Sequence, residues 1–166
     1  MAIRFGRDIC GDYQSATARE WLVTNGSGGY ASGTISGALT RRYHGLLVAA
    51  LQPPVARTLL VAKLDESARY RGVDHRLYVN AWGSGAINPD GNTRIESFAL
   101  EGAIPTWTFA FGDALLEKRV WMEQGANTTY IRYTLTRATA PVVLFARALV
   151  NHRDAHANTV GRGSYA

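Results

Sequence analysis

The sequence predicts an all-β protein, an antiparallel β-sandwich. Three observations point there. Apolar and polar residues alternate in several windows, and no window of about 12 residues carries a helical period. The apolar segments are short and are punctuated by Gly, Pro, Asn and Asp. There are roughly eight or more of them, spaced at about 8–12 residues, as in a sandwich or barrel.

Taken in order, residues 12–20 are the one candidate for a short helix. Glu20–Thr24 (EWLVT) alternates and reads as a strand, and residues 25–29 (NGSGG) read as the turn after it. Residues 43–51 form an apolar run that Pro53-Pro54 stops. Residues 58–65 are nearly continuously apolar, which suits a strand covered on both faces and ending at Asp65-Glu66. Residues 68–71 and 75–80 flank Gly72-Val73-Asp74 and read as a hairpin, with a loop over residues 83–91. In Ile104–Phe111, Trp107, Phe109 and Phe111 share one face while Thr106 and Thr108 share the other. Residues 128–136 alternate in the same way. Thr129, Ile131, Tyr133 and Leu135 oppose Tyr130, Arg132 and Thr134. Residues 115–123 and 141–150 complete the set. Residues 151–166 are polar and Gly-rich, so the last apolar strand has nothing visible to protect its edge. The sandwich is therefore expected to be incomplete at the C-terminus.

At 166 residues the chain suits a single domain with a real core, and 46% hydrophobic content excludes a disordered chain. The formal charge is +5, yet the longest basic run is Arg41-Arg42, with acidic residues interspersed elsewhere. That reads as a mildly basic surface and not as a nucleic-acid partner. A lone cysteine, Cys10, allows no intrachain disulfide. The N-terminus lacks a signal-peptide apolar stretch, and nothing approaches the ~18 apolar residues of a membrane span. The expected location is cytoplasmic, with no membrane. The glycosylation patterns at Asn25 and Asn127 then carry no meaning.

Several motifs fail on context. Residues 26–31 (GSGGYA) fit the dinucleotide fingerprint G-x-G-x-x-A, but residues 32–37 (SGTISG) make a poor helix to hold a pyrophosphate, and the later acidic partner is missing. Thr34 has no preceding Lys, so there is no P-loop. His152-Arg153-Asp154 lacks the rest of a kinase catalytic set. His152 and His156 have ligand spacing but lie in an expected loop with no third ligand, so no metal is assigned. Asp65-Glu66 is the one adjacent carboxylate pair. On a strand its members point to opposite faces and cannot flank one glycosidic bond. No cofactor is expected.

Residues 20–47 are the most distinctive stretch. They set a Trp, two Tyr, two Arg and a His among closely spaced glycines, with no acidic residue between Glu20 and Asp65. The sharpest cluster is Thr40-Arg41-Arg42-Tyr43-His44-Gly45. On an extended chain Arg42 and His44 would share one face, Arg41 and Tyr43 the other. Arg forks and His donors suit the vicinal hydroxyls of a sugar, or a phosphate. Trp21, Tyr30 and Tyr43 offer rings for stacking. The competing reading is that the Arg pair holds a loop by bonding backbone carbonyls.

Residues 19–26 (REWLVTNG), 28–34 (GGYASGT) and 40–49 (TRRYHGLLVA) resemble the N-terminal domain of bacterial and archaeal glycogen debranching enzymes. Pro53-Pro54-Val55, Arg57 and Leu64-Asp65-Glu66 continue the likeness. Leu149-Val150-Asn151 with Arg153, Asp154 and His156 resembles a second family stretch. The resemblance implies a supersandwich-like β-domain of an amylo-α-1,6-glucosidase. That domain packs against a C-terminal (α/α)6 barrel, which carries the catalytic carboxylates. No catalytic residue is then expected within residues 1–166, and Ser27 departs from the usual apolar residue. On the resemblance, Trp21, Asn25, Tyr30, Arg42 and His44 shape or support a sugar subsite, with Arg153, Asp154 and His156 as a second group. The implied partners are α-glucan (glycogen and maltooligosaccharides) and the barrel. A free-standing carbohydrate-binding module and a docking domain without sugar affinity are the alternatives. On the last reading these residues hold the domain interface.

Overall fold

A computed structural model describes residues 3–158. The elements are β1 (Ile3–Phe5), α1 (Arg7–Cys10), α2 (Tyr13–Thr17), β2 (Glu20–Thr24), β3 (Tyr30–Thr34), β4 (Gly45–Gln52) and β5 (Val55–Tyr70). Then follow β6 (Val73–Arg76), β7 (Val79–Ala81), β8 (Ile87–Asp90), β9 (Ile95–Glu101), β10 (Ile104–Phe111), β11 (Ala114–Met122), β12 (Thr129–Arg137) and β13 (Val142–Asp154). One sheet runs β1-β9-β10-β11-β12 and the other β13-β5-β4-β3-β2, with β6 beside β5 and β7-β8 as a separate ribbon. The neighbours pair antiparallel. The expected all-β, sandwich-like class is what the chain adopts.

Alternation builds the core. Trp21 and Val23 turn inward from β2 while Glu20, Leu22 and Thr24 turn outward. Trp107, Phe109 and Phe111 turn inward from the facing sheet, as their spacing predicts. The Trp21 and Trp107 rings meet edge to face at 5.4 Å. Each indole N–H donates to a backbone carbonyl, Trp21 to Thr34 and Trp107 to Ile35.

The structure departs from the local reading at several points. The hairpin after β5 turns at Arg71-Gly72, both at positive φ, one residue earlier than expected. Such two-residue turns match the twist of the flanking strands. Residues 75–80 are not one strand, because the chain breaks at Leu77-Tyr78 between β6 and β7, and β8 lies inside the expected loop 83–91. β9 escaped the period-2 reading because a bulge opposite Thr108/Phe109 places both Ile95 and Phe98 in the core, three residues apart. The polar stretch 151–154 is strand, since β5 is long enough to pair Arg153 with Leu59 and Asp154 with Thr58 beyond a bulge. His152 is thus on β13 and not in a loop.

Asp65-Glu66 is not a strand end either. The pair sits inside β5, almost fully buried, with its side chains on opposite faces. On the outer face Asp65 takes Lys63 Nζ at 2.9 Å and Arg147, its cross-strand neighbour, at 2.9 Å. On the inner face Glu66 accepts from Lys118 Nζ and from the Tyr133 hydroxyl at 2.6 Å. Lys118 and Tyr133 are themselves cross-strand partners on β11 and β12. One carboxylate therefore joins the two sheets through the interior. Burial, then the Glu66 charge and its hydrogen bond, push the Tyr133 phenol well above its ordinary range, so it stays a donor.

Candidate functional site: a groove on the outer face of β2 and β3

The outward row of β2 (Glu20, Leu22, Thr24) and that of β3 (Tyr30, Ser32) floor an open groove of about 670 Å³. The turn at residues 25–29 walls one end. The loop 40–44 and Arg57 close the others.

Asn25 makes the turn wall. It is fully buried, and its Oδ1 accepts from the Ser27 and Gly29 amides, each at 2.9 Å. Its Nδ2 donates to Ala126 O at 3.0 Å and to Asn127 Oδ1 at 3.3 Å. Asn127 in turn exchanges two bonds with the Ala50 backbone. Both asparagines of the glycosylation patterns are thus spent on joining the β2–β3 turn to the β11–β12 turn. Gly28 has φ +100°, and a Cβ there would lie 2.6 Å from Pro54 O. Any other residue would push the turn off the neighbouring strand connection.

The loop is not extended, so the expected split of faces is wrong. A turn closed by His44 N–H donating to Arg41 O regroups the four side chains. Arg41 and His44 converge on Glu20, and Arg42 and Tyr43 converge on His156. Arg41 Nε lies 2.6 Å from Glu20 Oε1, and His44 Nε2 lies 3.3 Å from the same oxygen without good alignment. His44 is buried, and its Nδ1 accepts from the Thr40 and Arg41 amides. That fixes the tautomer with hydrogen on Nε2. These two bonds brace the loop.

Burial, opposed by Glu20 and helped by Arg41, drives the His44 pKa below its ordinary value. A protonated Nδ1 cannot accept the two amides. With the folded value depressed, the unfolded chain takes up the proton first. Stability is therefore full above about pH 6.5 and falls as pH drops below it toward the folded value. His75, also depressed chiefly by burial, adds in the same direction. The melting temperature should drop between about pH 7.5 and about pH 5.5, and less so in a His44→Asn variant. A wild-type melt that does not change across that interval would remove His44 from this role.

The second predicted group does meet the first, from more than a hundred residues away. Arg42 donates to His156 O at 2.9 Å, and Arg153 donates back to Arg42 O at 2.7 Å. Arg153 also reaches Asp154 O and Ala157 O. The Tyr43 hydroxyl lies 3.3 Å from His156 Nδ1, with the rings edge to face. Asp154 Oδ1 accepts from the His156 amide at 2.8 Å. Of the pair Arg41-Arg42, Arg42 thus bonds a backbone carbonyl, as Arg153 also does, while Arg41 pairs with Glu20 instead. Trp21 is 7% exposed, with its N–H donated to Thr34 O.

Of the predicted residues Tyr30, Tyr43, Trp21 and His44 line the groove, and Glu20, Leu22, Arg41 and Arg57 join them there. Tyr30 leans on Val48, Leu59 and Ala155, and burial raises its phenol pKa. Arg57 Nε donates to Gly28 O at 2.9 Å and lines the rim. The alternation of β2 points to Glu20, but no sequence signal brings Arg57 here. Among the described residues no three His, Cys, Asp or Glu side chains gather as a metal site. No described helix is long and apolar enough to cross a membrane.

The architecture and the groove together define the class: an antiparallel β-sandwich domain with a polar and aromatic cleft on one outer face. Residues 19–164 match the glycogen debranching enzyme N-terminal family, and the chain belongs to it. No curated protein and no solved structure gives a significant match.

Proposed function

We propose that this chain is the non-catalytic N-terminal β-sandwich domain of a cytoplasmic glycogen debranching enzyme. It helps position α-glucan for hydrolysis of α-1,6 bonds by a C-terminal (α/α)6 barrel. The observation that carries the reading is the groove, where exposed tyrosine and leucine surface lies beside donors and acceptors free of the core. Sugars present that same mixture, an apolar ring face edged by hydroxyls. Stacking one ring on Tyr43 and burying ~60 Å² is worth about 1.5 kcal/mol, so affinity should be modest.

Calorimetric titration with glycogen and maltooligosaccharides, with glucose release followed in the same samples, tests this. Binding without release is expected, and Tyr43→Ala should weaken it about tenfold. Glucose release by the chain alone would overturn the non-catalytic assignment. The Arg42–Arg153 clasp favours a second reading, in which this face is built for docking the barrel and has no sugar affinity. Absence of binding to any α-glucan would select it over the first. Measurable affinity in the chain alone would equally suit a free-standing binding module.

A further inference from the structure

Glu20 was not singled out by the sequence, yet it occupies a distinctive place. It heads the outward row of β2, is over one-third exposed at the groove, and is approached at Oε1 by Arg41 and His44. Oε2 accepts no hydrogen bond among the described residues. Arg41 approaches with Nε, and its terminal nitrogens donate no hydrogen bond among the described residues. Arg42 and Arg153, by contrast, are committed to carbonyls, and Arg57 is tethered to Gly28. The groove thus has one place where an unspent carboxylate oxygen sits beside an unspent guanidinium fork, next to Leu22 and Tyr43.

We propose that the Glu20–Arg41 pair is the specificity-determining contact of this groove and grips two adjacent sugar hydroxyls; the inference rests on the α-glucan reading. A vicinal diol fits such a pair, because one hydroxyl donates to the carboxylate while its neighbour accepts from the guanidinium. A phosphate or other anion does not fit, since the carboxylate repels it. In α-1,4- and α-1,6-linked glucan, the C2 and C3 hydroxyls are the adjacent pair free in every internal unit. They are the pair assigned here, the C2 hydroxyl donating to Glu20 and the C3 hydroxyl accepting from Arg41. His44 acts as a positioning residue by holding the loop that presents Arg41.

The test is a cycle of protein and ligand changes. Maltoheptaose and the 2-deoxy oligomer of the same length are titrated into the wild-type chain and into Glu20→Gln. Glutamine keeps an oxygen for Arg41 but removes the charge. Loss of a hydrogen bond to a charged group should weaken binding tenfold or more, whether the hydroxyl or the charge is removed. The two losses should not add, so Glu20→Gln binds both oligomers alike. Arg41→Lys keeps the charge opposite Glu20 but removes the fork. Titrated with the 3-deoxy oligomer in place of the 2-deoxy one, it should show the same pattern, and it serves if Glu20→Gln does not fold. The inference is overturned if Glu20→Gln leaves maltoheptaose affinity unchanged. It is also overturned if the variant weakens both oligomers equally, which would mean that it acts through the loop. If the wild-type chain binds neither oligomer, the glucan reading itself falls and this inference falls with it.

Discussion

Glu66→Ala should destabilise the chain by about 3–5 kcal/mol, the usual consequence of removing one member of a buried ion pair. Glu66 is 4% exposed and is the partner of both Lys118 and Tyr133. Without it, an ammonium remains in the interior against the Trp107 ring, 5.5 Å from its centroid. The ring gives that charge some attraction but no hydrogen-bond acceptor in place of the lost carboxylate. At this chain length the melting temperature should fall by roughly 6–20 °C. The complementary variant separates charge from shape. Glu66→Leu, Lys118→Met and Tyr133→Phe together remove every polar group of the triad and should recover most of the loss. Chemical denaturation of wild type, single and triple variants measures both. A single variant within about 1 kcal/mol of wild type would mean that solvent reaches Lys118 readily enough to replace the carboxylate.

Asn25→Ala should cost about 3 kcal/mol, because it strands the Ser27 and Gly29 amides and the Ala126 carbonyl at one buried point, while Asn127 Oδ1 keeps the Ala50 amide. The turn can relax a little, which keeps the loss below the sum of three separate groups. Asn25→Asp is the sharper probe. It retains the oxygen that the Ser27 and Gly29 amides need, but aims a second carboxylate oxygen at Ala126 O and Asn127 Oδ1. Asn127 cannot turn its amide to help, because both ends are engaged by Ala50. The aspartate should therefore be as damaging as the alanine. Hydrogen exchange at the Ser27 and Gly29 amides reports the local effect, and thermal unfolding reports the global one. An Asn25→Asp chain with wild-type protection at those amides would sink this account of the turn.

Asn25 also illustrates how a residue can be noticed for one reason and matter for another. Its neighbourhood of glycines marks it as part of an unusual stretch, and the family likeness nominates it for a sugar subsite. Its side chain ties together two turns more than a hundred positions apart. Nothing local distinguishes an asparagine that faces solvent in a Gly-rich turn from one whose partners arrive from another sheet. Arg42 and Arg153 teach the same point. Each is an exposed-type residue in a plausible binding motif, and each is spent on the other's loop.

The sequence by itself determined the all-β class, the family, and most strands for which a single period survives from end to end. Glu20–Thr24 and Ile104–Phe111 are legible because alternation is a property of neighbours, and each inward residue of theirs faces the same core. Tertiary structure decided what alternation cannot encode. The bulge on β9 breaks its period, and the length of β5 carries β13 on into polar residues. It also decided the fate of each charged side chain. Asp65 and Glu66, adjacent on one strand, find partners on opposite faces. Which arginine of Arg41-Arg42 faces the groove depends on a turn closed by a buried histidine. A hydrogen bond is satisfied by whatever group the fold brings within about 3 Å, and that distance is not written in any stretch of the chain.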